Sequence, residues 1–537
     1  MASDVRHIGV RLEGEGDEAA RHISFRPGDS LRDILNASSA RVRSACSGIG
    51  ACGLCRVRID EGTAGPPTTA ELLHLGEEAV AARTRLACQV IPSGDMDVTV
   101  LEQARPSPWR APVAPPYQPA YPLAPARAAK GLPLGVAVDL GTTQITVAIC
   151  DVPSGRRLAM RSGPNPQARL GADVIGRLDA AARRELTAQR LRRWVVDAIG
   201  GALLDLSQDE GIALPGVGSV RIVGNSAMLT LLSGRSPEAL LDPAGWEAPI
   251  DCSPGDVSEL AQTWHLAPST AIELVQPLGG FVGSDLLSGA IHCRLAEDGA
   301  PALLIDFGTN SEIGLWDGER LWATAAAGGP AFEATGIGCG MGAEPGAIHR
   351  LSRSPQGVWR GEVFESAPPR GICGSGLVDM LAILRAGGEI DERGRILREP
   401  LTLGVGGAVF AVSKADIDTL QRAKAAVAAG MEVLLRRAGM RFDQLGAVHV
   451  AGSFGQHLDV ENAARIGLLP PIPAARVQLI GNSALQGALD IIVSDEAEVA
   501  LARTRRTAKV INLSMEEAFD DLFLDHLYIR PIAVRNE

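Results

Sequence analysis

Residues 302–317 read A-L-L-I-D-F-G-T-N-S-E-I-G-L-W-D. An apolar run ends at Asp306, a turn of Gly308, Thr309 and Asn310 follows, and a second apolar run returns. Short aliphatic runs bounded by Gly and Asn predict two strands joined by a tight turn. The same pattern stands earlier in the chain. There G-V-A-V-D-L-G-T-T, residues 135–143, places Asp139 before Gly141, Thr142 and Thr143, and Q-I-T-V-A-I-C-D, residues 144–151, returns. A further pair, V-R-I-V-G-N-S-A-M at 220–228 and Q-L-I-G-N-S-A-L at 478–485, extends the repetition. Two copies in one order predict an internally duplicated α/β domain of ordinary size.

The repeated turn has a chemical reading. Two D-x-G-T hairpins facing across a cleft present backbone N–H and hydroxyl groups to phosphate oxygens, and the glycine permits close approach. Asp139 and Asp306 can hold a hydrated Mg2+ between them. A nucleoside needs a further glycine-rich floor. V-H-V-A-G-S-F-G, residues 448–455, offers Gly452, Ser453 and Gly455; G-I-C-G-S-G-L, residues 371–377, offers Gly374, Ser375 and Gly376 and opens a predicted helix over 378–384. One D-x-G-T is a weak signal. Two in register, with these turns, favour an ATP site over a duplicated domain that binds no nucleotide.

The second turn is followed by a Gly/Ala-dense run, residues 325–348, which contains A-G-G-P-A-F-E, G-x-G-C-G-M and P-G-A-I. Such density predicts close backbone approach to a ligand or partner. Glu333 is the one acid beside the expected phosphates. It either positions the attacking water or is a solvated loop carboxylate.

At the other end of the chain, C-S-G-I-G-A-C-G-L-C at 46–55 spaces Cys46, Cys52 and Cys55 as C-x5-C-x2-C, and Cys88 follows in T-R-L-A-C-Q-V. Three thiolates from one loop and a fourth from a distant strand match a [2Fe-2S] cluster. Gly48, Gly50 and Gly53 let the loop turn tightly and aim N–H groups at it. A four-cysteine zinc site favours two C-x2-C pairs, and one is present. Around the loop, strands at 5–12 and 22–25, a turn at 27–29, a helix at 30–36, a strand at 56–59, a helical stretch at 69–75 and a strand at 96–101 give a β-grasp order. Residues 1–104 resemble the plant-type and vertebrate-type ferredoxins, with the x5 gap closer to the vertebrate and bacterial branch.

Residues 105–131 are dominated by proline and predict a semi-rigid extended linker that lets the small domain change position. Between the repeats a helix is predicted over 180–206, a loop-rich insertion over 235–275 and a helix over 278–294. A strand is predicted over 527–534.

At 537 residues the chain exceeds one core and implies roughly three or four domains. Its 51 basic and 63 acidic residues leave a net charge of −12, which argues against a nucleic-acid partner. No stretch has the length of a membrane span, and the N-terminus lacks a signal-peptide core, so the expected compartment is the cytoplasm. Nine cysteines there are not a disulfide framework; Cys150, Cys252, Cys293, Cys339 and Cys373 read as buried reduced thiols.

The two D-x-G-T hairpins resemble the actin, sugar kinase and Hsp70 superfamily. The whole chain resembles the reductive activators of corrinoid proteins. The four cysteines, G-V-A-V-D-L-G-T-T, L-L-I-D-F-G-T-N-S-E-I, the 325–348 run, G-I-C-G-S-G-L-V-D and V-A-G-S-F-G-Q-H-L-D carry that resemblance. It implies an α+β β-grasp ferredoxin domain (1–104), a linker (105–131) and two α/β, RNase H-like, actin-like ATPase halves (132–297 and 298–537). It also implies an ATP-driven reduction of an inactive Co(II) corrinoid protein of a methyltransferase system to Co(I). The electron comes from a donor reductase or ferredoxin through the [2Fe-2S] cluster, and the family version can pair as a homodimer. The alternatives are a small-molecule kinase or ATPase with a redox-regulatory ferredoxin domain, and a redox sensor that binds a protein partner. Activators of radical-type acyl dehydratases share the core but carry fewer cysteines per chain.

Overall fold

The computed structural model describes residues 6–13, 21–25, 28–38, 40–44, 46, 48–50, 52–103, 109–112, 114–124, 133–171, 174–297, 299–334, 336–452 and 454–533. The first sheet gathers β1 (Arg6–Leu12), β2 (Arg21–Phe25), β3 (Arg56–Glu61), β4 (Thr84–Leu86) and β5 (Met96–Val100) in the order β2-β1-β5-β3-β4. Its β1–β5 pair is parallel and the rest are antiparallel. Helix α1 (Leu31–Asn36) is capped by Ser30, whose hydroxyl accepts from Asp33 N. Helix α2 (Thr69–Ala81) starts with a reciprocal Thr68/Glu71 capping box. Ile8, Val10, Leu31, Leu35, Val57, Leu86 and Val98 form the core beneath. Glu71 is fully buried and takes Arg85 through both oxygens, at 2.7 and 2.8 Å, and Leu86 N at 3.0 Å. That pair ties α2 to the strand leading to Cys88.

The second sheet has the order β10-β9-β6-β7-β8, built from β6 (Leu134–Leu140), β7 (Gln144–Asp151), β8 (Arg156–Pro164), β9 (Val217–Gly224) and β10 (Ala271–Leu274). Its helices are α3 (Val174–Arg183), α4 (Glu185–Glu210), α5 (Ser226–Ser233), α6 (Glu238–Leu241), α7 (Ser258–Thr263) and α8 (Ser284–His292). The third sheet has the order β20-β19-β11-β12-β13-β21. Its strands are β11 (Ala302–Phe307), β12 (Ser311–Trp316), β13 (Leu321–Ala326), β19 (Ala447–Ala451), β20 (Val477–Gly481) and β21 (Lys509–Val510). Between β13 and β19 come β14 (Ala347–Arg353), β15 (Trp359–Val363), β16 (Gly371–Ile372), helix α9 (Gly374–Ala386), the hairpin β17 (Thr402–Val405) and β18 (Ala408–Ala411), and helix α10 (Lys414–Ala438). Helices α11 (Val460–Arg465), α12 (Ser483–Val493), α13 (Asp495–Thr507) and α14 (Phe519–His526) complete the chain.

The duplication is visible in the pairing. Strands β6, β7 and β8 form an antiparallel meander, β9 runs parallel to β6, and β10 parallel to β9. Strands β11, β12, β13, β19 and β20 repeat that pattern. The equivalences are therefore β9 with β19, β10 with β20, and α8 with α12. The two G-N-S-A runs follow β9 and β20, which are not equivalent places. They look alike because each needs an Asn at a helix start: Asn225 accepts from Met228 N and Asn482 from Leu485 N.

Other expectations are corrected. The predicted 180–206 helix is two, because Arg184 adopts an extended conformation between α3 and α4. Helix α8 occupies only part of 278–294; Gly280 takes a positive φ of 44° and a turn precedes the helix. The 235–275 insertion contains α6, α7 and β10. Residues 527–533 form no strand: they cross the surface as a loop and press Ile529 and Ile532, three residues apart, into the core.

The described part of the proline-rich segment is not a bare spacer. Arg110 bonds Ser162 of β8 in both directions, at 2.9 and 2.8 Å. Trp109 lies so close to Gly163 that a Cβ there would meet its ring at 2.6 Å. Tyr117 and Tyr121 are buried. Prolines keep the segment extended; Trp109 seats on the first half of the core, and Tyr117 and Tyr121 in a cluster shared by both halves. No helix among the described residues is long and apolar enough to cross a membrane.

Candidate functional site

The two D-x-G-T turns meet across the cleft between the second and third sheets. Gly141 N donates to Gln144 O at 3.0 Å, and a Cβ at Gly141 would lie 2.6 Å from that oxygen. Asn165 Nδ2 donates to Gly141 O at 2.9 Å, Arg177 Nη1 to Thr142 O at 2.8 Å, and Asn225 Nδ2 to Thr142 Oγ1 at 2.9 Å. The first turn is thus fixed from three sides. On the far wall Gly308 is less tightly held, with Asn310 O 3.2 Å from its would-be Cβ. Thr143 Oγ1 and Thr309 Oγ1 are 2.9 Å apart, and Glu333 bridges them: its Oε2 accepts from Thr143 at 3.0 Å and its Oε1 from Thr309 at 2.9 Å.

The short 3₁₀ turn Pro330–Glu333 carries this acid. Phe332 anchors the turn in an aromatic triangle with Phe307 of β11 and Phe454, with centroids 5.0 to 5.4 Å apart. Glu333 is therefore no solvated loop carboxylate. Burial raises its pKa, offset in part by the two threonine hydroxyls.

Behind the turns lies a nest of carboxylates, with Glu312 buried and Asp139, Asp285 and Asp306 half-buried. Asp139 is the penultimate residue of β6 and its Oδ2 accepts from Asn482 Nδ2 at 2.7 Å; burial lifts its pKa to about 6 against that bond. Asp306 in β11 rises to about 8 through burial and the charges of Asp285 and Asp139. Two further acids belong to the nest. Asp285, in the first turn of α8, rises to about 7 through burial and Asp139. Glu312 of β12 is pushed well above the carboxylate range by burial, Asp285 and Asp306. The sequence reading passed over both as site residues. The available signal was G-S-D at a helix start (283–285) and an acid inside a wholly buried strand.

Gly452 takes a φ of +88°, and a Cβ there would lie 3.2 Å from Asp306 Oδ1, so the V-A-G turn packs on the carboxylate nest. Gly455 N donates to Gly452 O at 3.1 Å. Ser453 lies outside the described residues. Gly374 and Gly376 sit at the start of α9, where a Cβ would meet Phe332 O at 2.0 Å and Ile348 O at 2.5 Å. Ser375 Oγ donates to His349 O at 2.8 Å. This triplet lets α9 press against the 330–348 segment.

The cysteine loop forms a second site. Cys46 and Cys55 are buried, Cys52 and Cys88 half-buried. Gly48, Gly50 and Gly53 all adopt positive φ, at 95°, 81° and 66°. Cys55 and Cys88 share a hydrogen bond, which pushes the Cys55 thiol up and holds Cys88 near about 7; Gln89 Nε2 and the Gly50 N–H also point at the Cys88 sulfur. The donor set fits an iron–sulfur cluster: four thiols around one glycine-kinked loop, with N–H groups aimed inward. Among the described residues no three His, Cys, Asp or Glu side chains converge as ligands of one ion.

Cys52 and Leu54 pack against the core of the second sheet, Arg41 pairs with Asp209 of α4 at 2.5 Å, and Gln208 Nε2 donates to Val42 O at 3.1 Å. None of the nine cysteines forms a disulfide. Burial pushes Cys150 to about 12, and Cys252 and Cys339 to about 11, as inert thiols.

Comparison with known proteins agrees with this layout. A 2Fe-2S iron-sulfur cluster binding domain model matches residues 15–93, the RACo middle region 134–298, and the C-terminal ASKHA domain of RACo 300–535. The corrinoid activation enzyme RamQ of Eubacterium limosum is 28% identical over 73% of this chain and 69% of its own length. A Co(II) methylated amine-specific corrinoid protein reductase of Methanosarcina barkeri is 25% identical over 73% of this chain and 76% of its own length. The solved structure of a reductive activator for corrinoid, iron-sulfur protein superposes with a TM-score of 0.66, covers 98% of both chains, and is 24% identical. With an iron–sulfur module, a RACo middle region and a RACo ASKHA domain in one order across residues 15–535, the chain belongs to the family of reductive activators of corrinoid proteins.

Proposed function

We infer that the protein reactivates corrinoid proteins, returning inactive Co(II) to Co(I) at the expense of ATP. The observation that carries this reading is one chain holding both a four-cysteine ferredoxin loop and two facing D-x-G-T turns whose acids are intact. The cluster, when bound, supplies a one-electron donor of low potential. Cys46, Cys52, Cys55 and Cys88 hold it, and the glycine loop excludes side chains from it. A donor reductase or ferredoxin replenishes the electron, in a reducing cytoplasm.

In the cleft, Gly141, Thr142 and Thr143 face Gly308, Thr309 and Asn310 as two phosphate cradles. Asp139 and Asp306, with Asp285 and Glu312 behind them, hold a hydrated Mg2+. The turns at Gly452, Ser453 and Gly455 and at Gly374, Ser375 and Gly376 form the nucleoside end. Glu333, already hydrogen-bonded to both cradles, orients the attacking water. Binding energy gathered from both walls favours the closed cleft, and that equilibrium is what ATP has to offer an uphill electron transfer.

The test mixes titanium(III)-reduced protein with a Co(II) corrinoid protein and follows Co(I) absorbance. Co(I) that appears only with Mg–ATP is the expected result. ATP hydrolysis and an intact cluster spectrum without any Co(I), across corrinoid partners from the same source, would overturn the reading.

A further inference from the structure

The proline-rich segment is pinned to the ATPase core at one buried carboxylate. Asp490, fully buried in α12, accepts at Oδ1 from Tyr117 Oη at 2.6 Å and from the Ala120 backbone N–H at 2.9 Å. Its Oδ2 lies 2.7 Å from His292 Nδ1 at the end of α8. Three separate parts of the chain thus meet on one side chain: the segment 114–124, the last helix of the first half, and the equivalent helix of the second. The segment is held further by Ala124 N on Val493 O at 2.9 Å and by Arg294, which donates to Ala120 O at 3.1 Å and stacks over Tyr121.

The other end of α12 lies at the phosphate site. Its N-cap, Asn482, donates to Asp139. From there to Asp490 is about 12 Å of helix at 1.5 Å per residue. Helices α8 and α12 touch backbone to backbone. A Cβ at Gly487 would lie 1.9 Å from Ser288 O, and one at Gly289 would lie 2.7 Å from Ser483 Oγ. Ser288 Oγ donates to Ala484 O at 2.9 Å. Helices in such contact have no side-chain layer to absorb a displacement, so a shift at Asn482 is carried to Asp490.

We propose that Asp490 is the joint through which the nucleotide state of the cleft sets the position of the 114–124 strap, and with it the iron–sulfur domain. This rests on the reading of the cleft as an ATP site. Hydrogen bonds to a buried carboxylate are short and directional, so the strap follows the helix that carries their acceptor or loses them. Asp490 is a positioning residue: it touches neither nucleotide nor cluster.

The test is hydrogen–deuterium exchange on the full-length, cluster-loaded protein, with and without a non-hydrolysable Mg–ATP analogue, for wild type, Asp490→Asn and Tyr117→Phe. In wild type, nucleotide slows exchange in peptides covering 139–143 and 306–310 and also changes the rate in the strap peptide. Both variants should exchange about five- to tenfold faster in the strap, the scale of one lost hydrogen bond. They should lose its response to nucleotide, while protection at 139–143 and 306–310 and the visible cluster spectrum persist. ATP hydrolysed per Co(I) formed should rise in parallel. A strap peptide indifferent to nucleotide in wild type, with the cleft peptides protected, overturns the joint alone. A strap response that survives in both variants does the same. Cleft peptides that ignore nucleotide overturn the ATP reading and the joint together.

Discussion

At the residue scale the two sites separate cleanly, and single changes should show it. Cys52→Ser is expected to abolish the visible iron–sulfur absorbance while Mg–ATP affinity, read by calorimetry, stays within about threefold. Glu333→Gln keeps the hydrogen bonds to Thr143 and Thr309 in part but removes the charge. ATP turnover should fall on the order of a hundredfold or more with little change in ATP affinity. Equal loss of binding and turnover would instead make Glu333 a structural clasp.

Asp306→Asn has an opposite signature in stability. Its raised pKa means the fold prefers the neutral acid. The contribution is fully present below the ordinary carboxylate value, about 4, and is lost as pH rises toward about 8. Without nucleotide or Mg2+, the Asn variant should match wild type in Tm below about pH 4. By pH 8 it should be the more stable, by up to about 5 kcal/mol at roughly 1.4 kcal/mol per pH unit, in denaturant titration. A constant difference across that range would contradict the buried-charge account.

Elements were legible where chemistry repeats over a short span. The D-x-G-T hairpins and the cysteine loop could be read because neighbouring residues carry the whole message. Asp285 and Glu312 could not, since their role comes from two sheets meeting around acids distant in sequence. The G-N-S-A pair misled for the same reason: an N-cap signature marks a helix start, whichever helix it is. At this scale Glu71 is the informative test. Removing one partner of a buried ion pair costs about 3–5 kcal/mol. Glu71→Ala should therefore destabilise the ferredoxin domain and speed cluster loss in a chelator challenge, while nucleotide binding by the core persists.

At the scale of the whole molecule the segment 105–131 is where composition said least. Proline content reads as spacing, yet Trp109, Tyr117 and Tyr121 make its described part a fitted strap. The Arg41–Asp209 pair, with Arg161 on the other oxygen of Asp209, holds the cysteine loop against α4. Both acid and Arg41 are well exposed, so the contact is weak and screened by salt. Arg41→Glu should leave ATP hydrolysis unaltered and make the iron–sulfur domain easier to release by limited proteolysis, more so at low salt than at high.

The nest of acids behind the phosphate turns also makes the resting cleft a store of protons. Asp139, Asp285 and Asp306 lie between about 6 and 8, and Glu312 lies well above its usual range, so near neutrality the nest is only partly ionised. A divalent cation arriving with a nucleotide needs those oxygens as anions. Loading is then an exchange of hydrogen ions for metal: calorimetric heats should differ between buffers of unlike ionisation enthalpy, and affinity should climb with alkalinity through the neutral range. Acidification of the surroundings would therefore weaken the hold of the cleft on metal and nucleotide together.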